Sequence, residues 1–429
     1  MIKFKSPKVE RWVILFIVAF AGGIITKLPY LKDIYFTTLQ SSTGTTKEQL
    51  GILLSMYGIV NFILYFPGGM IADKFSPKKL IVFSCFATAL IGFWYATLPG
   101  YTSLLIIHTL FGITTVFTFW ASMVKIANNL GDENEQGRIF GFLEGGRGLV
   151  GTIISLASVY VFSRFADEKL GLQGAITFYS IALIVAGILA ILFISDPQPK
   201  ASDKMKENAN KVNWADFKEV VKIPRIWMCG LLVICNYSAV IIFGYLTPYL
   251  SEIYKVDSST VAILGVIRAY VLMFGGSLLA GLLADKLKST IKFMEYGFVG
   301  MAVFSFGYLL IPVNRGMLWV LVINFVLQGL FLLGVKAMYF ATIDEVHIPK
   351  KLAGTASGVI SIVGYAPEIF LYTLVGSTLD NHPGIAGYQI CFYTMAALSA
   401  AGFLLAIALR VMNRRYVAAH PESVNGDVA

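Results

Sequence analysis

Gly69-Met70-Ile71-Ala72-Asp73-Lys74 and Gly281-Leu282-Leu283-Ala284-Asp285-Lys286 are near copies of each other, 212 residues apart in a chain of 429. Each closes a long apolar run with a small residue, an aspartate and a lysine. A short basic loop follows each, with Lys78 and Lys79 after the first copy and Lys288 after the second. The duplication runs further. A shift of 217 residues places Leu110-Phe111-Gly112 on Leu327-Gln328-Gly329 and, without a gap, Gly137-Arg138-Ile139-Phe140-Gly141 on Gly354-Thr355-Ala356-Ser357-Gly358. Two shifts that agree this closely over half the chain mark an internal repeat.

Composition identifies what is repeated. The chain is 57% hydrophobic and 14% charged, with a mean hydropathy of +0.72, where a soluble domain carries about 25% charged residues. The apolar residues come in runs of about 20 to 28, long enough to cross ~30 Å of hydrocarbon. Such runs must be helical, because lipid offers the backbone no partner; the alternating pattern of a membrane barrel is absent. Twelve runs fall at about 10–36, 46–72, 78–98, 102–130, 137–164, 173–195, 222–253, 258–284, 290–312, 316–344, 352–378 and 386–413. The predicted fold is an all-α membrane protein of twelve transmembrane helices in two pseudo-symmetric six-helix halves, 1–195 and 222–415. A cytoplasmic linker, 196–221, joins them, with helix around Trp214–Phe217, and a disordered tail spans 416–429. An even number of spans per half makes the repeats parallel, related by an axis along the membrane normal.

The net charge of +9 is a topology signal rather than a nucleic-acid footprint. Lys74, Lys78, Lys79, Arg138, the 200–225 cluster, Lys286, Lys288, Lys292, Arg410, Arg414 and Arg415 fall on one side. Lys32, Lys47, Arg164, Lys169, Lys255 and Arg315 fall on the other. The positive-inside rule then puts both termini of a multi-pass membrane protein in the cytoplasm. The first run continues past Lys27 with no cleavage site, so it reads as a span and not a signal peptide. Cys85, Cys229, Cys235 and Cys391 all lie in apolar runs, with no paired spacing for a metal or a disulfide framework. No nucleotide-binding motif and no catalytic constellation is present, so neither an ATP-driven mechanism nor an enzyme is indicated. No cofactor or metal is expected, and the protein is expected to act as a monomer.

Charges inside the spans carry the chemistry. Each costs roughly 2.5–3.5 kcal/mol at mid-bilayer, so it faces a cavity or a partner. They are Lys27 (span 1), Lys125 (span 4), Glu144 and Arg147 (span 5), Arg268 (span 8), Lys336 (span 10) and Glu368 (span 11), five basic and two acidic. Lys27 lies near mid-depth, where snorkelling is a poor escape, and reads as an anion ligand or one half of an ion pair. Arg268, with Tyr270 beside it, offers a planar fork suited to a carboxylate, sulfonate or phosphate. Glu144 and Arg147 are three apart on one helix, so they form an internal ion pair or serve substrate and proton. The surrounding Gly137, Gly141 and Gly145 are spaced for close helix packing. Lys125 is near the cytoplasmic end of span 4, within snorkelling reach. Glu368 reads as a proton carrier or as the partner of Lys336, itself a candidate substrate contact. Tyr237, Tyr245 and Tyr249 on span 7 and Tyr365 on span 11 are candidate hydrogen-bond donors or packing residues. The histidines lie near ends or loops and form no cluster.

The pattern Gly69, Asp73, Lys74, Lys78, Lys79 resembles the loop 2–3 signature of the major facilitator superfamily. Gly281, Asp285, Lys286 and Lys288 resemble its loop 8–9 copy with a degraded basic end. The resemblance covers the whole chain and implies a secondary transporter whose motif gates the cytoplasmic side. It also implies that spans 1, 4, 5, 7, 8, 10 and 11 line or approach a central cavity, and all seven buried charges fall on these. Lys27-Leu28-Pro29-Tyr30-Leu31-Lys32-Asp33, Gln136–Gly148, Gly364–Pro367 and Pro383–Tyr388 resemble a narrower group of bacterial inner-membrane transporters encoded with the sulfoquinovose pathway. They more loosely resemble the organophosphate:phosphate antiporters. Those antiporters use an arginine in span 7, which this chain lacks; nitrate transporters pair span 8 and span 2 arginines, and span 2 here is apolar. The reading is a secondary active transporter of a small organic anion in the lipid bilayer. It works by alternating access, coupled to protons or to anion exchange. The alternatives are a drug or cation exporter, against which the basic excess and the proline-free span 5 speak, and a non-transporting receptor on the same fold.

Overall fold

The computed structural model describes residues 6–130, 135–195, 214–349 and 352–420. All regular structure among them is helical. In chain order the helices are α1 (Pro7–Ile24), α2 (Lys32–Thr43), α3 (Lys47–Lys74), α4 (Pro77–Ala96), α5 (Tyr101–Asn129), α6 (Gln136–Phe162) and α7 (Glu168–Phe193). After α8 (Trp214–Val221) come α9 (Pro224–Glu252), α10 (Ser258–Leu287), α11 (Thr290–Leu310), α12 (Arg315–Ala337), α13 (Thr342–Glu345), α14 (Ala353–Asn381) and α15 (Ile385–Ala419). Among the described residues, eleven helices are long and apolar enough to cross a membrane.

The first span is not among the eleven, because it is broken. Between α1 and α2 the chain turns through residues 25–31, with tight bonds from Lys27 N–H to Ile24 O (2.9 Å) and from Asp33 N–H to Tyr30 O (2.9 Å). Pro29 has no N–H for the preceding turn and its ring crowds the carbonyl four residues back. The span expected at 10–36 therefore ends as a straight helix at Ile24 and resumes at Lys32, running on to Thr43. Gly44 stops it with φ +64°, a conformation glycine adopts without strain.

Polar caps set the other helix starts. Thr46 and Gln49 form a reciprocal capping box on α3. Ser76, Asp167, Asp257 and Ser289 each accept from the N–H three residues on. Asp257→Ala is expected to cost about 1 kcal/mol, read as a lower melting temperature of the purified protein. Hydrogen bonds from the Thr260 side chain and backbone hold the Asp257 carboxyl below the usual carboxylate range. A depressed folded-state pKa makes this contribution present at neutral pH and lost as the pH falls through that value, so variant and wild type should converge in acid.

Contacts group the chain into two compact units. One is Met1–Pro199 with Lys255–Tyr270, and the other is Lys200–Tyr254 with Val271–Ala429. The first unit is built mainly from α4 against α7 and α1 against α6; the second from α11 against α15 and α10 against α12. In the first, a Cβ on Gly112 of α5 would lie 2.5 Å from Val60 of α3; in the second, one on Gly329 of α12 would lie 2.5 Å from Leu272 of α10. These are the two glycines that the 217-residue shift superposes, so each unit carries a close helix crossing at the same point of the repeat.

The glycines of α6 do otherwise than expected. No described atom lies within 4 Å of a Cβ on Gly141 or Gly145, so these do not serve a close crossing; Gly137 lies outside the described side chains. The close approach to α1 uses Gly23, whose Cβ would meet the Arg147 carbonyl and Val150 at 2.9 Å. The last helix also departs from expectation. It continues through Ala419, past the 416 at which a disordered tail was predicted, because Tyr416 packs under the Arg225 guanidinium at 3.3 Å and stacks on His420. Residues 196–213 of the predicted linker and 421–429 of the tail lie outside the described residues; the linker's end, α8, is helical as expected around Phe217.

Candidate functional site

In the first unit three irregular backbone segments come together. The turn at 25–31 carries Lys27. A π-helical stretch in α10, Ile267–Val271, carries Arg268 and Tyr270. A second π-helical stretch in α5, Ile113–Trp120, ends at the indole over which Arg147 lies, 4.8 Å from the ring centroid. Wider turns of this kind shift side chains off the regular helical register and recur at functional sites.

The Lys27 ammonium donates to the Tyr270 hydroxyl and stands 3.8 Å from the centroid of that ring. Its other side rests on α6, where a Cβ on Gly151 would be 2.8 Å from Nζ. The Arg268 guanidinium donates to the Asp33 carbonyl at 3.2 Å and lies 3.6 Å from Asp33 Oδ1. Lys32 Nζ lies 3.4 Å from that same oxygen. Arg147 is paired with Glu144 at 2.6 Å and reaches the Gly22 carbonyl at 3.4 Å.

Lys27, Lys32 and Arg268 are all buried, whereas the Glu144 side chain is 57% exposed and committed to Arg147. Asp33 pairs with two of these buried cations, Lys32 and Arg268. Buried cations are kept where a partner or a polar cavity meets them, which makes this cluster the candidate site. Charge placement by side puts Lys32 with the loop charges opposite the motif side. The break at Pro29 instead turns it inward as the first residue of α2. Lys32, Asp33 and Trp120 are the members that sequence reading missed; Pro29, two residues after a mid-span lysine, was the available signal.

Lys125 stands apart from this cluster. Its Nζ donates at 2.9 Å to the Ala72 carbonyl at the end of α3, where a cation suits the helix dipole. It thus touches the first motif copy. Lys78 of that copy donates to the Ile191 carbonyl at 2.9 Å, and Lys74 is exposed; Gly69 and Asp73 lie outside the described side chains. In the second unit Asp285 and Lys286 are exposed, no described atom lies within 4 Å of a Cβ on Gly281, and α10 ends at Lys288 in the left-handed conformation, φ +50°.

The second unit has its own polar cluster. Tyr237 meets Tyr365 edge to face at 4.8 Å, and the Lys336 ammonium lies 5.4 Å from the Tyr237 ring centroid. Glu368, in a tight 3-10 turn after Pro367, is within electrostatic reach of the Tyr237 hydroxyl. Asn236 braces the last turn of α12, donating to the Leu332 carbonyl at 3.1 Å and accepting from the Tyr339 hydroxyl. Tyr245 is fully buried and donates to the Tyr372 carbonyl at 2.9 Å, so its hydroxyl is spent on packing α9 against α14. Tyr249 is buried among Tyr254, Tyr388 and Phe392. His108, expected near a helix end, is buried within α5 with Nδ1 2.9 Å from the Leu104 carbonyl.

A model of the Major Facilitator Superfamily matches residues 12–372. Two Escherichia coli K12 proteins are similar over nearly the whole chain. Inner membrane protein YihN is 30% identical, covering 95% of this chain and 97% of its own. Inner membrane protein YqcE is 31% identical, covering 91% and 92%. Among solved structures, a point mutant of the nucleoside transporter NupG aligns with a TM-score of 0.71 at 14% identity, over 95% of this chain and all of its own. A bacterial homolog of the human lysosomal transporter Spinster, inward-facing and unoccupied, aligns with a TM-score of 0.69 at 13% identity, over 96% and 98%. At these identities the structural likeness speaks for the fold.

Proposed function

The chain belongs to the major facilitator superfamily, and from that premise we propose that it is a secondary active transporter of a small organic anion. The observation that carries the reading is the buried group Lys27, Lys32 and Arg268, gathered around the Asp33 carboxylate and the Tyr270 hydroxyl. An anionic group on the cargo — sulfonate, phosphate or carboxylate — pairs with these cations, with the Arg268 fork giving it direction. Arg147 of the same unit contacts the rest of the cargo, and Lys336, Tyr237 and Tyr365 form a separate candidate polar group in the second unit. Transport proceeds by alternating access, with Asp73, Lys74, Lys78, Asp285 and Lys286 locking the motif side and Lys125 supporting that lock. The protein works as a monomer in the bacterial inner membrane with both termini in the cytoplasm. Coupling is to protons, through Glu144 or Glu368, or to a counter-anion.

Uptake and counterflow in proteoliposomes test this, using radiolabelled sulfonates, sugar phosphates and carboxylates with and without a pH gradient. Saturable movement of at least one such anion is expected. Movement of cationic or neutral solutes alone would overturn the anion reading, and dependence on the gradient separates the two coupling modes.

A further inference from the structure

We infer that Asp33 is a built-in competitor for the transported anion: its carboxylate holds Arg268 and Lys32 until the anionic group of the cargo displaces it. The inference rests on the reading of this cluster as an anion site, and it assigns Asp33 a part that neither the motifs nor the span charges suggested.

Four observations support it. The first is looseness. Charge-assisted bonds close to about 2.7–2.9 Å, and the pairs Arg147–Glu144 and Arg11–Glu135 of the same unit close to 2.6 Å. Asp33 stands 3.4 Å from Lys32 and 3.6 Å from Arg268, and one oxygen, Oδ1, serves both. The second is an asymmetry of exposure. The Asp33 side chain is 25% exposed, while those of Lys32 and Arg268 are 3% and 7%. The carboxylate is the most accessible of the three groups.

The third is anchorage. Arg268 also donates to the Asp33 backbone carbonyl, so the guanidinium keeps a fixed acceptor when the carboxylate swings away. The fourth is placement. Asp33 lies in the first turn of α2, directly after the irregular turn at 25–31 and beside the Lys27–Tyr270 contact. Tyr270 is two residues from Arg268 on α10, so the Lys27 contact and the Asp33 pairs belong to one cluster.

The physical consequence is a tempered affinity. Buried cations that met the cargo without a competing carboxylate would grip it and slow its release. Exchanging the Asp33 carboxylate for the cargo's anionic group instead keeps the charge of the site nearly constant through binding and release. The nearby carboxylate also repels a second anionic group, which favours cargo with a single one.

Thermal-shift titration of the full-length purified protein with methanesulfonate and with inorganic phosphate tests this in wild type, Asp33→Asn and Asp33→Glu. Loss of one screened competing charge predicts that Asp33→Asn binds the probe about tenfold tighter. Asp33→Glu, which keeps the competitor, should bind no tighter than wild type, and uptake by Asp33→Asn should slow because release slows. If Asp33→Asn is not recovered folded, Asp33→Ser makes the same comparison. Equal or weaker binding by the neutral variant, as a merely positioning aspartate gives, overturns the inference and leaves the anion site standing. Binding of neither probe by either protein overturns both.

Discussion

Lys27→Ala lowers uptake of the transported anion by about a hundredfold, the loss expected when one partner of a buried, hydrogen-bonded charge contact is removed. Lys27 sits where the first span is broken, so its ammonium is delivered to the Tyr270 hydroxyl rather than along a helix surface. Its stem has nowhere to retreat, since the ammonium is already packed on Gly151. For the same reason Lys27→Arg is not expected to restore transport: the charge is kept, but the broader guanidinium has no room against α6. Initial uptake rates in proteoliposomes, at matched protein content and with the melting curve of each variant recorded, measure this. Wild-type rates in Lys27→Ala would remove Lys27 from the site.

The second large effect is structural and falls on the same helix. Gly23→Val should lower the melting temperature by at least several degrees and reduce the yield of folded protein. The new Cβ would sit 2.9 Å from the Arg147 carbonyl and from Val150. A backbone carbonyl in α6 cannot rotate aside as a side chain can, and overpacking of this kind costs about 1–3 kcal/mol or more. Because α1 leads into the turn carrying Lys27, transport should fall along with stability. Gly141→Ala is the matched control: with no described atom within 4 Å of its Cβ and a helical backbone that favours alanine, it should not lower the melting temperature. A Gly23→Val protein as stable as wild type would show that α1 and α6 are not packed this closely.

The contrast between these two glycines shows what was legible in the sequence. Gly137, Gly141 and Gly145 have the spacing of a packing stripe, but spacing cannot say which face of a helix meets a neighbour. Gly23 does the packing without any motif. The spans were legible because each needs a long apolar run, and runs survive every detail of tertiary structure. The repeat was legible too, down to Gly112 and Gly329, which sit at equivalent crossings. The breaks within spans were not. Pro29 and Pro367 hint at two of them, but nothing in Ile113–Trp120 or Ile267–Val271 marks a π-helical stretch, since that geometry is imposed by packing rather than local propensity. Lys32 was misplaced for the same cause: span-length arithmetic put it at an end, and the kink brings it inside. Lys27, Arg147 and Arg268 could be nominated from hydropathy alone, because a charge in an apolar run is conspicuous. Which charges pair could not be read. Glu144 goes to Arg147, Lys125 goes to the end of α3, and the competing carboxylate of Asp33 lay unnoticed beside a presumed loop.

Counterflow of a radiolabelled small organic anion into proteoliposomes, compared between wild type and Arg268→Gln, bears most directly on the claim that a buried cationic cluster binds the cargo. Wild type should accumulate the label against preloaded unlabelled anion, and Arg268→Gln, correctly folded by its melting curve, should lose that exchange. Unimpaired exchange by Arg268→Gln, or movement by wild type of neutral or cationic solutes but of no anion, would contradict it.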